Sequence, residues 1–278
     1  MLGELLDNVR RRRPLIHSIT NYVTANDCAN ILLACGGSPI MADDPGEVEE
    51  ITSLCGGLNL NIGTLNARTV PAMLAAGKKA NELGHPAVLD PVGAGASALR
   101  TDTALLLMEQ VRFSVIRGNI SEIKALALGR GSTLRVSTQG VDAGAGDAVT
   151  EDTLDEAVHF AKDFAQKTGA VIAVTGAIDI VADAGTAYCV FNGHPMMSAV
   201  TGTGCQLSAL AAAFAAANPD RVLEAGWAAV CAMGVCGELA HNRLGARDGN
   251  ASYRNYIIDA VYRLDGDTLD RMANYKTL

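Results

Sequence analysis

The sequence predicts an α/β fold in which a mainly parallel sheet, with a hairpin at one edge, is covered by helices on both faces. Short apolar stretches rich in β-branched residues are each followed by a turn and a segment of helical periodicity, the pattern of repeated β-α units. Residues 180–193, IVADAGTAYCVFNG, alternate about a glycine turn as the strands of a hairpin do. The chain carries no linker or low-complexity segment, so we expect one domain over residues 1–278.

The individual elements follow from local patterns. Buried strands are expected at 38–41, 58–63, 87–93, 113–119 and 170–176. Helices are expected at 24–35, 45–55, 67–83, 102–111, 120–129, 153–168, 205–217, 221–243 and 253–275. Asp44 before Pro45 is a start signal for the second of these helices. The apolar runs 206–217 and 225–240 are shorter than the ~18–20 residues of a membrane span, so we expect buried helices and no membrane association.

The net charge and the cysteine pattern disfavour several classes of partner and site. The formal net charge of −8 disfavours a nucleic-acid partner. Seven cysteines, widely spaced and without a C-x-x-C pair, disfavour a zinc site and a disulfide framework and predict a reducing, cytoplasmic location. Ligands of parallel α/β sheets bind beyond the carboxyl ends of the strands, so the turns after the strands are where functional residues are expected.

Three glycine motifs resemble nucleotide-binding sequences without meeting their requirements. Gly77-Lys78 lacks the glycine that a P-loop carries five residues earlier. GAGASA at 93–98 does not follow its strand directly and has no acidic residue suitably placed downstream to hold a ribose. GAGD at 144–147 lies before a predicted strand rather than after one, so we interpret it as loop decoration.

Polar residues at two strand ends are candidates for a site. Asp90 ends one strand, and Glu122 closes NISE just after another, an arrangement that suits a hydrated Mg²⁺. The alternative for Glu122 is a capping box with Asn119, and the sequence favours neither role over the other. Arg117, beside a glycine at a strand end, suits a phosphate clamp or a surface ion pair.

The stretch VTGTGCQLSA at 200–209 is the strongest single feature. Gly202, Thr203 and Gly204 can turn their N–H groups inward, and a helix starting at Cys205 adds its positive end, so an anion hole is expected. We expect Gly204 to need a positive φ. A plain tight turn is the alternative. His17, in HSITNYV, is expected to be a packed structural residue rather than a catalyst.

These motifs together carry a family resemblance. PLIHSITNYVTANDCANILLACGGSPIMADDPGEV, NIGTLN, LDPVGAGAS, IRGNISEI and VTGTGCQLSA resemble the hydroxyethylthiazole kinases of the ribokinase-like superfamily over roughly residues 10–245. The resemblance implies a three-layer α/β/α fold, a homotrimer, ATP with Mg²⁺, and phosphorylation of 4-methyl-5-(2-hydroxyethyl)thiazole for thiamine salvage. The GAGD loop does not belong to the family pattern.

The resemblance also implies roles for single residues. The thiazole is expected to contact Met41 and Gly202, with Asn21, Val23 and Gly63 nearby. ATP is expected at Arg117 and Thr175, and magnesium at Asp90 and Glu122. Cys205 stands where a superfamily kinase usually has an aspartate base. A thiol of pKa ~8.5 is a poor base at neutral pH, although a helix N-terminus can lower that value. We therefore expect the anion hole of Gly202, Thr203 and Gly204 to contribute more than Cys205.

Other functions remain open on the sequence alone. Another superfamily kinase, acting on hydroxymethylpyrimidine or pyridoxal, would share most of the motifs. A repair dehydratase of the same fold would be expected to carry an aspartate at position 205. A nucleotide or thiazole sensor without turnover would not need Arg117, Asp90, Glu122 and the glycine turn together.

Overall fold

A nine-stranded sheet forms the centre of the protein in the computed structural model, which describes residues 1–129, 138–139, 142–143 and 149–278. The strands are β1 Leu15–Ile19, β2 Ser38–Ile40, β3 Gly57–Asn61, β4 Ala87–Asp90, β5 Val115–Asn119, β6 Thr138–Gln139, β7 Asp142–Ala143, β8 Val171–Thr175, β9 Asp179–Ala182, β10 Ala187–Val190 and β11 Tyr275–Thr277. The helices are α1 Leu2–Arg12, α2 Ala25–Cys35, α3 Val48–Leu54, α4 Thr69–Leu83, α5 Ala98–Gln110, α6 Ile120–Leu128, α7 Leu154–Thr168, α8 Thr203–Ala217, α9 Val222–Asn242, α10 Asn250–Arg263 and α11 Gly266–Met272. The GAGD motif at 144–147 lies outside the described residues.

The sheet is mainly parallel, as predicted. Its strand order is β11-β10-β9-β8-β5-β4-β3-β1-β2. The pairs from β2 to β8 are parallel, and the pairs from β8 to β11 are antiparallel. Each parallel connection passes through a helix, because parallel neighbours need a crossover. All five predicted strands are present within one or two residues at their starts.

Two apolar cores lie on opposite faces of the sheet, which confirms the three-layer α/β/α architecture. Side chains alternate along each strand, so Val88 joins the core with α1, α2, α8, α9, α10 and α11, whereas Leu89 joins the core with α4, α5, α6 and α7. All seven cysteines are buried with free thiols, and most serve as small apolar core residues.

The predicted hairpin is present but is not the edge of the sheet. Strands β9 and β10 pair antiparallel, and β11 then pairs with β10 on its outer side.

The expected helix at 253–275 is wrong beyond Arg263, because Asp265 caps a new helix by accepting from the Thr268 N–H. The chain then extends as β11, whose Tyr275 packs edge-on against Trp227.

The other differences are at element boundaries. LIHSI at 15–19 forms β1, which is not among the predicted strands. The helix α3 begins at Val48 rather than at Pro45, because Asp44 closes a turn that includes a bond from the Gly46 N–H to its carboxylate.

Among the described residues one helix, α9, has the length and hydropathy of a membrane span, contrary to the expectation that the apolar runs are too short. Of the apolar segment of α9, 72% is buried inside the protein.

Candidate functional site

The carboxyl ends of the parallel strands meet the N-terminus of α8 at one edge of the sheet. Asn61 ends β3, Asp90 ends β4 and Thr175 ends β8, while Arg117 lies in β5 between the last two of these strands. Because parallel strands end at the same edge, side chains far apart in sequence come together there. The structure thus assembles most of the residues that the sequence singled out.

Asp90 is fully buried at the centre of this edge. Its Oδ2 accepts hydrogen bonds from Asn61 Nδ2 and Ser208 Oγ, both at 2.7 Å. Arg117 Nη1 lies 3.5 Å from each of its carboxylate oxygens. Burial raises the pKa of Asp90, and the neighbouring guanidinium and the hydrogen bonds act in the opposite direction. The carboxylate is held in place from three sides.

Arg117 lies between the strand ends and α8. Its Nη2 donates to Thr175 Oγ1 at 2.6 Å. The Nη1 contacts with Asp90 are longer and are therefore weak hydrogen bonds. The N–H groups of Nη1 can thus still donate to a bound anion. A Cβ on Gly204 would lie 2.5 Å from Nη1, which places the guanidinium directly against the first turn of α8. The Arg117 side chain is only 12% exposed, so its pair with fully buried Asp90 is not the surface ion pair of the alternative interpretation.

Glu122 forms the capping box that the sequence offered as one alternative. Its Oε2 accepts from the Asn119 N–H at 2.8 Å, and Asn119 Oδ1 accepts from the Glu122 N–H at 2.8 Å. Its Oε1 accepts from the Gly93 N–H at 2.7 Å, a third contact that crosses to the loop after β4. Burial, and then the charge of Asp90, raise the pKa of Glu122 to about 7.

The glycine turn has a different geometry from the expected one. The helix α8 begins at Thr203, and Gly202 is its N-cap with φ +89°. Gly204 is inside the helix, so the expectation of a positive φ at Gly204 is wrong. A side chain at either position would collide with a different neighbour. A Cβ on Gly202 would lie 2.3 Å from Thr24 Cγ2, whereas a Cβ on Gly204 would lie against the Arg117 guanidinium. The first helical N–H groups, from Thr203 to Cys205, precede the first i→i−4 bond of α8, which Gln206 donates to Gly202.

Cys205 lies in the first turn of α8, two residues later in the helix than expected, and is 8% exposed. Its Sγ accepts from Asn21 Nδ2 at 3.3 Å. Burial, followed by the charge of Asp90, raises the pKa of the thiol. The helix N-terminus therefore does not make Cys205 a thiolate, and the thiol is protonated at neutral pH.

The residues expected at the thiazole fall into two groups. Asn21 and Gly63 lie together, since a Cβ on Gly63 would be 2.7 Å from Asn21 Nδ2. Val23 is 67% exposed in the turn before α2, and Met41 is 40% exposed just after the edge strand β2. These two apolar side chains are thus on the open surface of the chain rather than inside a closed pocket.

His17 has the structural role that was expected. It is fully buried, with Nδ1 2.8 Å from Thr52 Oγ1 and Nε2 2.8 Å from the carbonyl oxygen of Ala42. Burial lowers its pKa. Through Ala42 it holds the loop that carries Met41.

Sequence reasoning missed Asn61, Ser208 and Asp179. Asn61 and Ser208 donate to Asp90, and their signal was available: Asn61 lies near the end of a predicted strand, and Ser208 lies one helical turn after Gly204. Asp179 begins β9, where burial raises the pKa of its carboxyl to about 7 and its charge couples to Arg117. It accepts from the Gly176 N–H in a tight turn, which no sequence pattern marked.

Comparison with known proteins agrees with this geometry. The sequence matches the hydroxyethylthiazole kinase family over residues 6–267. It is 66% identical to a hydroxyethylthiazole kinase of Clostridium acetobutylicum, with 100% of both chains covered. It is 49% identical to one of Desulfovibrio desulfuricans, covering 99% of this chain and 97% of the relative.

Solved structures agree with the fold. The hydroxyethylthiazole kinase protein of Pyrococcus horikoshii OT3 is similar with a TM-score of 0.86 and 36% identity, covering 100% of this chain and 98% of that chain. The pyridoxal kinase of Bacillus subtilis, with a TM-score of 0.54 and 18% identity over 80% of this chain and 90% of that chain, shares the fold alone. From the family match and the full-length relatives, the chain belongs to the hydroxyethylthiazole kinase family.

Proposed function

We propose that this protein transfers the γ-phosphoryl group of ATP to the hydroxyl of 4-methyl-5-(2-hydroxyethyl)thiazole, in the salvage of the thiazole part of thiamine. The alcohol oxygen forms the new P–O bond, the bond to the β-phosphate oxygen breaks, and ADP, the phosphate ester and one proton result. The observation that carries the proposal is the position of Arg117 against the N-terminus of α8, joined to Thr175 on one side and Asp90 on the other.

The side chains and backbone N–H groups of the site would stabilise the charge of the transferring phosphoryl group and hold it in position. The Arg117 guanidinium lies against the first turn of α8, so it and the first N–H groups of that helix would together stabilise the negative charge of the transferring group. Thr175 orients the guanidinium through its 2.6 Å bond. We assign Arg117 and Thr175 to ATP, and Gly202, Thr203 and Gly204 to the anion hole.

The acidic pair of Asp90 and Glu122 fits a hydrated magnesium ion. No group of three or more His, Cys, Asp or Glu side chains that could hold a metal occurs in the described parts of the chain, so a closed protein cage is not formed there. Both carboxylates are buried, the charge of Asp90 raises the pKa of Glu122, and Arg117 acts on both as a cation. A divalent ion bound through water would balance the negative charge of this pair. When bound, magnesium would neutralise charge on the phosphates.

We propose that the thiazole lies beside Gly202, Asn21 and Gly63, and that Met41 and Val23 contact it at a boundary between subunits of a homotrimer. The supporting observation is the exposure of Met41 and Val23, together with the outer side of β2, which ends the sheet. Closing the site with a second copy would cover these apolar side chains. We further propose that residues 1–278 work as one domain in the cytoplasm.

Release of ADP tests the proposed activity. With millimolar thiazole alcohol, ATP and Mg²⁺, we expect coupled-assay turnover well above the rates with the hydroxymethylpyrimidine and with pyridoxal. The absence of turnover with all three alcohols, combined with measurable binding of nucleotide or thiazole, would favour a sensor instead. Faster turnover with pyridoxal or the pyrimidine would assign a different substrate.

Sedimentation tests the assembly. The chain has a mass of 28.8 kDa, so we expect an active species of three times that mass. A fully active monomer would contradict the proposed homotrimer.

Cys205 is expected to be a weak or dispensable base. Because its thiol is protonated, Cys205→Ala should lower kcat by only about one to two decades, the low end of general-base effects. Cys205→Asp should equal or exceed the wild-type kcat, because Asn21 Nδ2 would donate to the new carboxylate as it does to Sγ. Its cost would be weaker ATP binding, since the new charge lies close to Asp90.

Steady-state kinetics at saturating substrates checks this expectation. Cys189→Ala is the control, because Cys189 is also buried, in β10, and lies outside the site. An inactive Cys205→Ala variant with an unchanged thermal midpoint would instead assign essential chemistry to the thiol.

A further inference from the structure

We infer that Asn61 is a positioning residue that couples the alcohol side of the site to the metal side. It contacts Asn21 with one end of its side-chain amide and Asp90 with the other. The inference rests on the proposed function, and it gives a role to a residue to which the family resemblance described above assigned none.

The orientation of the Asn61 amide is determined by its contacts. A backbone N–H can only donate, and the Gly63 N–H lies 2.9 Å from Oδ1, so this atom is the oxygen. Oδ1 also accepts from Asn21 Nδ2 at 3.0 Å. Nδ2 must therefore face Asp90, to whose Oδ2 it donates at 2.7 Å.

Asn21 is oriented in the same way. Its Oδ1 accepts from the Thr24 N–H at 3.1 Å, so its Nδ2 donates to Asn61 and to Cys205 Sγ. Two backbone N–H groups thus determine the direction of a chain of hydrogen bonds that runs from Cys205 through both amides to Asp90. All of its side chains are at most 8% exposed, so water does not compete for these bonds.

The contact with Asp90 determines which carboxylate oxygen is left for the site. Asn61 and Ser208 both donate to Oδ2, whereas Oδ1 has, among the described residues, the 3.5 Å contact with Arg117. Asn61 and Ser208 therefore hold the carboxylate in the rotation in which Oδ2 accepts two hydrogen bonds and Oδ1 keeps its 3.5 Å contact with Arg117, which lies equally close to Oδ2. Losing the donor end of Asn61 would leave Ser208 as the one 2.7 Å side-chain donor to Oδ2 among the described residues, and would loosen this rotation without removing a group that touches substrate.

Asn59 is a matched control on the same strand. It lies two residues earlier on β3, on the same face, and is also fully buried. Its Nδ2 donates to Ser18 Oγ at 3.0 Å rather than to any residue of the site. Replacing Asn59 measures what the loss of a buried amide from this strand does to stability alone.

The test separates the two ends of Asn61. Asn61→Asp keeps an acceptor for Gly63 and Asn21 but replaces the donor to Asp90 by a second carboxylate, at a position 2.7 Å from Oδ2 in the wild type. We expect it to bind the thiazole alcohol, measured by calorimetry without nucleotide, within about 3-fold of wild type, and to lower kcat by about 10²-fold through misplacement of Asp90. Asn61→Ala loses both ends, so we expect the same fall in kcat together with about 10-fold weaker binding of the alcohol.

Asn59→Ala should lower the thermal midpoint while changing neither alcohol binding nor kcat beyond about 3-fold. If Asn61→Asp does not fold, Asn61→Ala decides the question with the same two measurements. The inference is overturned if the Asn61 variants keep a wild-type kcat, or if they change both quantities no more than Asn59→Ala does. If the proposed function is wrong, the wild-type protein itself releases no ADP. The comparison of alcohol binding between Asn61→Ala and Asn59→Ala would then still decide the role of Asn61.

Discussion

Gly204→Ala is expected to lower kcat/KM by about 10²- to 10³-fold, the loss typical of removing one group that stabilises transition-state charge. The added Cβ would lie 2.5 Å from Nη1 and 2.6 Å from Nη2 of Arg117. The guanidinium must move away from α8, and we expect this shift to break its 2.6 Å bond with Thr175. The backbone is not the cause, because Gly204 is helical, and on helix propensity alone alanine would stabilise this position by up to ~1 kcal/mol.

The prediction therefore combines a small change in the thermal midpoint with a large loss of activity. Gly226→Ala in α9 is the control, because a Cβ there would meet Val181 at 3.4 Å and Val171 at 3.6 Å, which are ordinary packing distances. It should keep the wild-type kcat/KM. Wild-type kinetics for Gly204→Ala would show that Arg117 need not lie against α8 for turnover.

Glu122→Gln is expected to lower kcat by about 10²-fold or more and to raise the magnesium concentration needed for half-maximal rate. It should also lower the free energy of unfolding by about 1–3 kcal/mol. The reason is that both carboxylate oxygens accept from backbone N–H groups, those of Gly93 and Asn119. A glutamine places its own N–H₂ against one of these donors, so it cannot cap as glutamate does.

The pH dependence provides a second measurement on the same variant. Because burial raises the pKa of Glu122 to about 7, its contribution to the stability of metal-free protein is present at low pH and is lost as the pH rises through about 7. Glu122→Gln should remove this part of the pH dependence. Magnesium should oppose it in the wild type by favouring the ionised carboxylate.

Asp265→Ala is the control for the lost cap. Asp265 accepts from the Thr268 N–H at the start of α11, far from the site in the fold, and removing such a cap costs about 1 kcal/mol. It should reduce stability without changing kcat or the magnesium dependence. If Glu122→Gln behaves like Asp265→Ala, Glu122 is a capping residue and nothing more.

Much of the candidate site was predictable because strand ends are recognisable in sequence. Asp90 and Arg117 were singled out because they stand at or near the ends of apolar β-branched runs, and parallel strands bring such ends together. The glycine turn at 202–204 was likewise visible as a loop before an apolar helix. Its conformation was not, because which glycine has a positive φ depends on neighbours such as Thr24 and Arg117, which are remote in sequence.

Boundaries failed where a polar side chain ends or starts an element. Asp44 and Asp265 both accept from backbone N–H groups two or three residues later, and these bonds moved the start of α3 and divided the expected helix at 253–275. The short strand β11 depends on pairing with β10 and on packing against Trp227. Neither partner is near it in the chain, so a local pattern did not reveal it.

The sequence by itself determined the α/β class, the order of most elements and, through its motifs, the family, because periodicity, turn residues and motif spacing are local properties. Only the tertiary structure decided that Glu122 caps a helix and contacts Gly93, that the Cys205 thiol is protonated, and that Asn61 connects Asn21 with Asp90. These properties depend on burial and on contacts between residues 29, 118 and 184 positions apart, as in Asn61–Asp90, Ser208–Asp90 and Asn21–Cys205. Such contacts form only when the whole sheet and α8 are in place, so they leave no signal in a local stretch of sequence.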